Sequence, residues 1–217
     1  MIEPPARTNI TRLKEKGSAD RSALDALLDR VHVGHFGLTD EAGRPVVIPT
    51  AVVRYGDRVL AHGSTGSPWI RSLASGAPTC LAVTSFDGLV VARSAFESSI
   101  HYRSAVLFGT CSRLADNEKS RALDLITEAL LPGRVAEIRR PDDRELAATL
   151  VFALPIEEWS LKVSDGWPDD PPEDVAGGAW AGVVPVRTTY ADPVDTPDLR
   201  AGIDLPESVR RLGPGAP

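Results

Sequence analysis

The chain has 217 residues, 42% hydrophobic and 25% charged, the make-up of one sizeable globular domain. Its net charge of -6 argues against nucleic acid and anionic membrane surfaces as partners, and no apolar run approaches the ~20 residues of a membrane helix. The first 16 residues are polar and mixed in charge, unlike a secretory signal, and Cys80 and Cys111 write neither a disulfide framework nor a zinc site, so a reducing cytoplasm is the expected location.

Residues 18–30 place Leu24, Leu27, Leu28 and Val31 at helical spacing, with Ser18 or Asp20 available as N-cap. The period then shortens. Residues 33–39, 45–54 and 57–62 read as short strands of an antiparallel meander, broken by turn signals at 40–43 and 55–57. Residues 68–75 read as a short helix with Pro68 in its first turn. Residues 79–86 and 88–93 read as a strand pair joined at Asp87 and Gly88, and 104–114 as a long strand. The clearest helix is 117–131, with Leu123, Ile126 and Leu130 on one face, Asp116 as its cap, and Pro132 and Gly133 ending it. A short helix over 142–148 and late strands over 149–153, 158–163 and 179–186 complete the pattern. Residues 165–178, rich in proline, acid and glycine, form a loop. Nine of the 18 prolines lie beyond Ser164, so residues 187–217 read as a tail that is partly disordered, or extended and lying over a neighbouring surface. This order predicts a mainly β fold: a closed or nearly closed antiparallel barrel with peripheral α-helices. It divides into an N-terminal arm (1–17), a barrel domain (18–186) and a proline-rich C-terminal tail (187–217).

The stretch with most chemistry is 62–71, His-Gly-Ser-Thr-Gly-Ser-Pro-Trp-Ile-Arg, between a strand and a helix. Glycines admit positive φ and close ligand approach. Hydroxyls and amides at a helix start donate to an anion, and arginine adds a planar fork of donors suited to phosphate. The stretch reads as a phosphate-binding turn; an ordinary polar strand-to-helix loop has the same composition. It lacks the glycine fingerprint of a dinucleotide fold and the Gly-Lys-Ser/Thr ending of a P-loop.

Four motifs in this order resemble the pyridoxamine 5′-phosphate oxidase-like, FMN-binding split-barrel family, nearest its flavin-nucleotide-binding and nitroimidazole-resistance-like branch. They are residues 46–53 (Val-Val-Ile-Pro-Thr-Ala-Val-Val), 62–73, 101–109 (His-Tyr-Arg-Ser-Ala-Val-Leu-Phe-Gly), and the pair formed by Lys162 with 180–182 (Trp-Ala-Gly). The likeness covers roughly residues 19–185. The family's B6 oxidase carries a Ser-Arg-Lys run in the turn, whereas here Pro68 and Trp69 follow Ser67 and the arginine arrives at Arg71. The resemblance implies non-covalent FMN in a groove between the two subunits of a homodimer. It implies phosphate contacts from His62, Gly63, Ser64, Thr65, Ser67 and Arg71, and ring contacts from Ile48, Thr50, Ala51 and Val53. It implies phosphate or ring contacts from Arg103 and Ser104; His101 is a phosphate donor, a proton shuttle or a polar strand-end residue, Lys162 faces the cofactor or water, and Trp180 stacks on the flavin or fills the dimer interface. Pro49 cannot donate to a ladder, so its strand belongs at an edge or a bulge.

His32 and His35 lie on a strand without helical metal spacing and are assigned no metal. Cys80 and Cys111 sit inside apolar strands and are expected to be buried and inert. The expected activity is that of an FMN-dependent oxidoreductase acting on a small molecule; the alternative is a non-catalytic flavin, deazaflavin or haem binder. No catalytic residue stands out, for no nucleophile–base set or carboxylate pair is visible.

Overall fold

The computed structural model describes residues 7–212. The chain begins with a short strand, β1 (Gly17–Ser18), which adds to the edge of a later strand, and then enters helix α1 (Arg21–Arg30). Asp20 is the N-cap: its carboxylate accepts from the Ser22 amide at 2.8 Å. Ser18 is taken up by β1 pairing opposite Leu161. The helix buries Leu24, Leu27 and Leu28 as the spacing predicts.

Strands β2 (Val33–Thr39) and β3 (Pro45–Ala51) form a hairpin. Its turn needs Gly43 at φ 78°, with Asp40 accepting from the amides of Ala42 and Arg44. The apolar run 45–54 is not one strand. It breaks at the buried Val52, whose amide donates to His32 O at 3.0 Å, and β4 (Val53–Tyr55) continues in a different sheet. Strand β5 (Arg58–Ser64) is followed by α2 (Pro68–Ala74). The expected strand pair over 79–93 is instead one long strand, β6 (Pro78–Val91), with a bulge at Asp87. It pairs along its length with β7 (Ser99–Thr110), which begins five residues earlier than expected and stops short of 114.

After the two-residue β8 (Ser112–Arg113) comes α3 (Asp116–Leu130), then α4 (Asp143–Ala148), β9 (Thr149–Pro155) and β10 (Glu158–Ser164). Asp116 lies in the first turn of α3 and does not cap it. The cap residue is Ala115, whose amide donates to Glu118 Oε2. The loop over 165–178 contains the short helix α5 (Pro172–Val175). Strand β11 (Gly182–Pro185) is shorter than the expected 179–186, and α6 (Glu207–Arg210) interrupts an otherwise irregular tail.

These strands form two antiparallel sheets. One runs β1-β10-β7-β6-β2-β3, with β11 also pairing β6; the other runs β4-β5-β9-β8. Their facing sides enclose the main core. Phe36, Leu81, Val83 and Leu107 from the first sheet meet Val59, Ala61, Phe152 and Leu154 from the second, with α1 and α2 closing the ends. A smaller cluster lies on the other face of the four-stranded sheet, where Val53, Leu60, Val151 and Ala153 are covered by Ala122 and Ile126 of α3. Lys119 is buried on the same helix and donates to Leu146 O at 2.9 Å, tying α3 to α4.

Close packing across the core sets one sharp expectation. A Cβ at Gly34 would lie 2.6 Å from Leu81 Cδ1 and 3.0 Å from both methyls of Val52. Gly34→Ala should therefore destabilise the fold by about 1–3 kcal/mol through overpacking, read as a lowered urea midpoint at unchanged slope.

Parts of the arm and the tail are tied to the rest of the fold. Arg7 pairs with Glu158 and stacks over the Phe108 ring, and Lys162 donates to Arg12 O. In the tail, buried Ser208 donates its amide to Glu137 Oε1 at 3.0 Å. The outermost residues of the arm and tail fall outside the described residues.

Candidate functional site

The turn after β5 gathers the expected donors. Thr65 N donates to Ala148 O, and Ser67 N donates to Ser64 O, closing a tight turn. Gly66 N donates to Ser64 Oγ at 3.1 Å. Ser67 is the N-cap of α2, yet its hydroxyl makes no capping bond. Arg71, one turn into the helix, reaches back so that Nη1 donates to Thr65 O at 2.9 Å. The hydroxyls of Ser64, Thr65 and Ser67 and the guanidinium of Arg71 thus belong to one short, largely exposed segment. Because α2 has only seven residues, its dipole would contribute little to an anion held here; the hydroxyls and the guanidinium would supply most of the attraction.

The glycines of this turn serve a different purpose from the expected one. Neither Gly63 nor Gly66 takes a positive φ. A Cβ at Gly63 would lie 2.5 Å from Ile70 Cδ1, so the missing side chain is what lets α2 pack onto β5.

The remaining candidates fall on separate elements. Ile48, Thr50 and Ala51 lie on β3, the terminal strand of its sheet, where Pro49 is tolerated as anticipated. Val53 is not on that edge; it lies on β4, buried beneath α3. Ser104 pairs with Lys162 across β7 and β10, on the sheet face turned away from the core. Trp180, 65% exposed, packs its ring over Gly182 at the start of β11. His101 meets Gly166 O through Nε2 at 2.9 Å.

Arg103 is already engaged. It donates through Nε and Nη2 to both carboxylate oxygens of Asp87, each at 2.9 Å, and Ser85 Oγ donates to the same carboxylate. The bulge at Asp87 aims this acid at the arginine, and Gly88 beside it gives room for β11: a Cβ there would lie 2.9 Å from Val184 O. The hydrogen bonds from Arg103, then those from Ser85, hold the Asp87 carboxyl below its ordinary range. A depressed folded-state value stabilises the fold above the unfolded value near 3.9 and loses that contribution as pH falls through the folded one. The stability gap between the wild type and Asp87→Asn should therefore be open at pH 7 and narrow progressively below about pH 4, as urea midpoints at several pH values would show.

Two features were not legible beforehand. Arg93 donates from its backbone N and Nη1 to Asp170, pinning the 93–98 loop to the acidic loop. More consequential is a cavity of about 480 Å³ on the outer side of the four-stranded sheet. His62 leaves the turn and lines this cavity with Leu123, Ile126, Val135 and Ile138, while Arg139 and Arg140 stand at its rim. His62 Nδ1 is buried without a hydrogen-bond partner among the described residues, and burial lowers the imidazole pKa. Cys111 is buried and its thiol is pushed up to about 12, as expected of an inert cysteine; Cys80 is only half-buried.

Two antiparallel sheets wrapped around one core, with helices at the periphery, make this a split-barrel protein. It belongs to the pyridoxamine 5′-phosphate oxidase family, whose model matches residues 20–163. Among solved structures, the FAD and haem binding protein from Mycobacterium smegmatis is 52% identical, covering 91% of this chain and 97% of that one, with a TM-score of 0.88. The flavocytochrome Anf3 from Azotobacter vinelandii is 34% identical, covering 98% and 99%, with a TM-score of 0.89. A candidate 5-nitroimidazole antibiotic resistance protein from Bacteroides thetaiotaomicron, 20% identical over 68% of this chain and 86% of that one, shares the fold with a TM-score of 0.57. No curated protein matches the sequence.

Proposed function

We propose that the protein is a flavin-dependent oxidoreductase acting on a small molecule, and that it takes a haem as a second redox group. The observation that carries the flavin reading is the convergence of Ser64, Thr65, Ser67 and Arg71 on one turn, in a chain of this family. FMN is the flavin that the family resemblance implies. The M. smegmatis relative, described as binding FAD and haem, and the flavocytochrome Anf3 support a flavin of either length and the added haem.

A bound flavin supplies hydride and single-electron chemistry. The chain's own residues bind and orient it. The turn hydroxyls and Arg71 hold a phosphate through charge-assisted bonds. The terminal strand β3 offers unpaired backbone amides and carbonyls to a ring edge, and apolar side chains exclude water.

A homodimer fits the same picture. Val33, Val47, Phe86, Leu89, Ile100 and Val184 are all exposed, and the strand registers put them on the outward face of the seven-stranded sheet. A second copy is the partner we propose for that face, bringing the β7–β10 outer face and Trp180 of one subunit toward the groove of the other. Among the described residues no helix is long and apolar enough to cross a membrane; we place the protein in the cytoplasm.

Absorbance of the purified protein, followed by mass analysis of the released cofactors, tests this reading. Flavin bands with an FMN or FAD mass are expected, together with a Soret band. Colourless protein that takes up neither FMN nor FAD would overturn the flavin reading. Bound flavin that consumes neither reduced nicotinamide nor oxygen would turn the oxidoreductase into a carrier or sensor.

A further inference from the structure

We infer that the cavity beneath α3 is the haem site, with His62 as axial ligand to the iron and Arg139 and Arg140 receiving the two propionates. The inference rests on the proposal that the chain takes haem, and it assigns the residues.

The cavity is built for a flat, largely apolar group with acidic arms. Its volume of about 480 Å³ lies within the roughly 300–1,000 Å³ usual for small-molecule sites. One wall is the outer face of β5 and β9, contributing His62 and Thr149; the opposite wall is α3, contributing Leu123, Ile126 and Thr127. The segment between α3 and α4 closes the third side and brings the two arginines to the mouth. The depth is largely apolar, and the two guanidiniums sit at the rim, each paired with a carboxylate.

Thr127 and Thr149 in that depth donate to Leu123 O and Glu145 O, whereas His62 Nδ1 has no partner among the described residues. An unpartnered buried polar group is costly, and no hydrogen bond among the described residues engages the ring, which leaves the imidazole free for a ligand in the cavity. The charged groups facing the same space are Asp124, Arg139, Arg140 and Glu145. Among the described residues no group of three or more His, Cys, Asp or Glu could hold a bare metal ion. A single imidazole therefore suits a metal whose other positions are filled by its own ring, which is the case for haem.

The rim arginines are held in place. Arg139 donates through both terminal nitrogens to Glu145 at 2.6 and 2.7 Å, which keeps that carboxyl down at about 2; Arg140 pairs with Asp124 at 3.0 Å. A guanidinium has five N–H donors, so each pairing leaves donors over for an incoming carboxylate.

The test is titration of the purified full-length protein with hemin, followed by its Soret band and by EPR of the ferric form. The wild type should take one equivalent and give a histidine-ligated spectrum. His62→Ala should lose that spectrum and weaken uptake at least 10-fold, and added imidazole should restore the band. Arg139→Ala with Arg140→Ala should weaken uptake several-fold while leaving the band position unchanged. Leu123→Trp, which fills the cavity from α3 and leaves His62 in place, should block hemin while flavin is retained; it covers the case in which His62→Ala does not fold. A wild-type-like spectrum and affinity in both His62→Ala and Leu123→Trp would overturn the site and leave the haem reading standing. A wild type that binds no hemin would overturn the haem reading itself, whatever its flavin content.

Discussion

Phe152→Ala is expected to lower the unfolding free energy by about 3–5 kcal/mol, the largest effect of any single truncation considered. Phe152 is fully buried at the centre of β9, where the two sheets come together. Its ring meets Phe36 of the opposite sheet edge-on, with centroids 5.6 Å apart at 64°. This aromatic pair spans the barrel, so truncation removes a large apolar group and the edge-to-face contact at once, and it leaves a void between walls too rigid to collapse. Chemical denaturation should show the midpoint falling at constant slope. A loss below 1 kcal/mol would mean that the sheets close onto the gap.

Arg71→Ala is expected to weaken flavin retention roughly 10-fold or more, the size of one lost charge-assisted bond pair, while the fold stays intact. The side chain is exposed and its contact within the fold is the carbonyl of Thr65, so little stability depends on it. Dialysis of the flavin-loaded protein, with the thermal unfolding midpoint of the flavin-free form as control, separates the two effects. Retention equal to wild type would remove Arg71 from the site. Retention lost together with the midpoint would show that the arginine organises the turn rather than the ligand.

Legibility from the sequence followed the range of the forces involved. Residues 33–39 alternate between exposed and buried, with Phe36 and Leu38 inward, and the strand bounds could be read directly. The helix beginning near Arg21 showed its face because Leu24, Leu27 and Leu28 all point at one core. Where a long-range contact decides, local pattern misleads. Val52 looks like the middle of a strand, but it is where the chain changes sheets, bonded to His32. Asp87 and Gly88 have hairpin composition, yet the acid serves Arg103 and the glycine makes room for β11. The turn donors were visible because they are neighbours in the chain. The His62 cavity was not, since its walls come from β5, α3 and an aperiodic segment in which Val135 and Ile138 follow no pattern.

The pairing of β11 with the far half of β6 has a practical consequence. Strand β2 covers β6 only opposite residues 80–82, while β11 covers 88–91. The family match stops at residue 163, before that second cover. A polypeptide shortened to the matched region would keep its core yet present Leu89, Val90 and Val91 as an open, apolar ladder. Such a fragment should stick to itself in solution, so the segment through Pro185 acts as a solubility guard even though the family model ends before it.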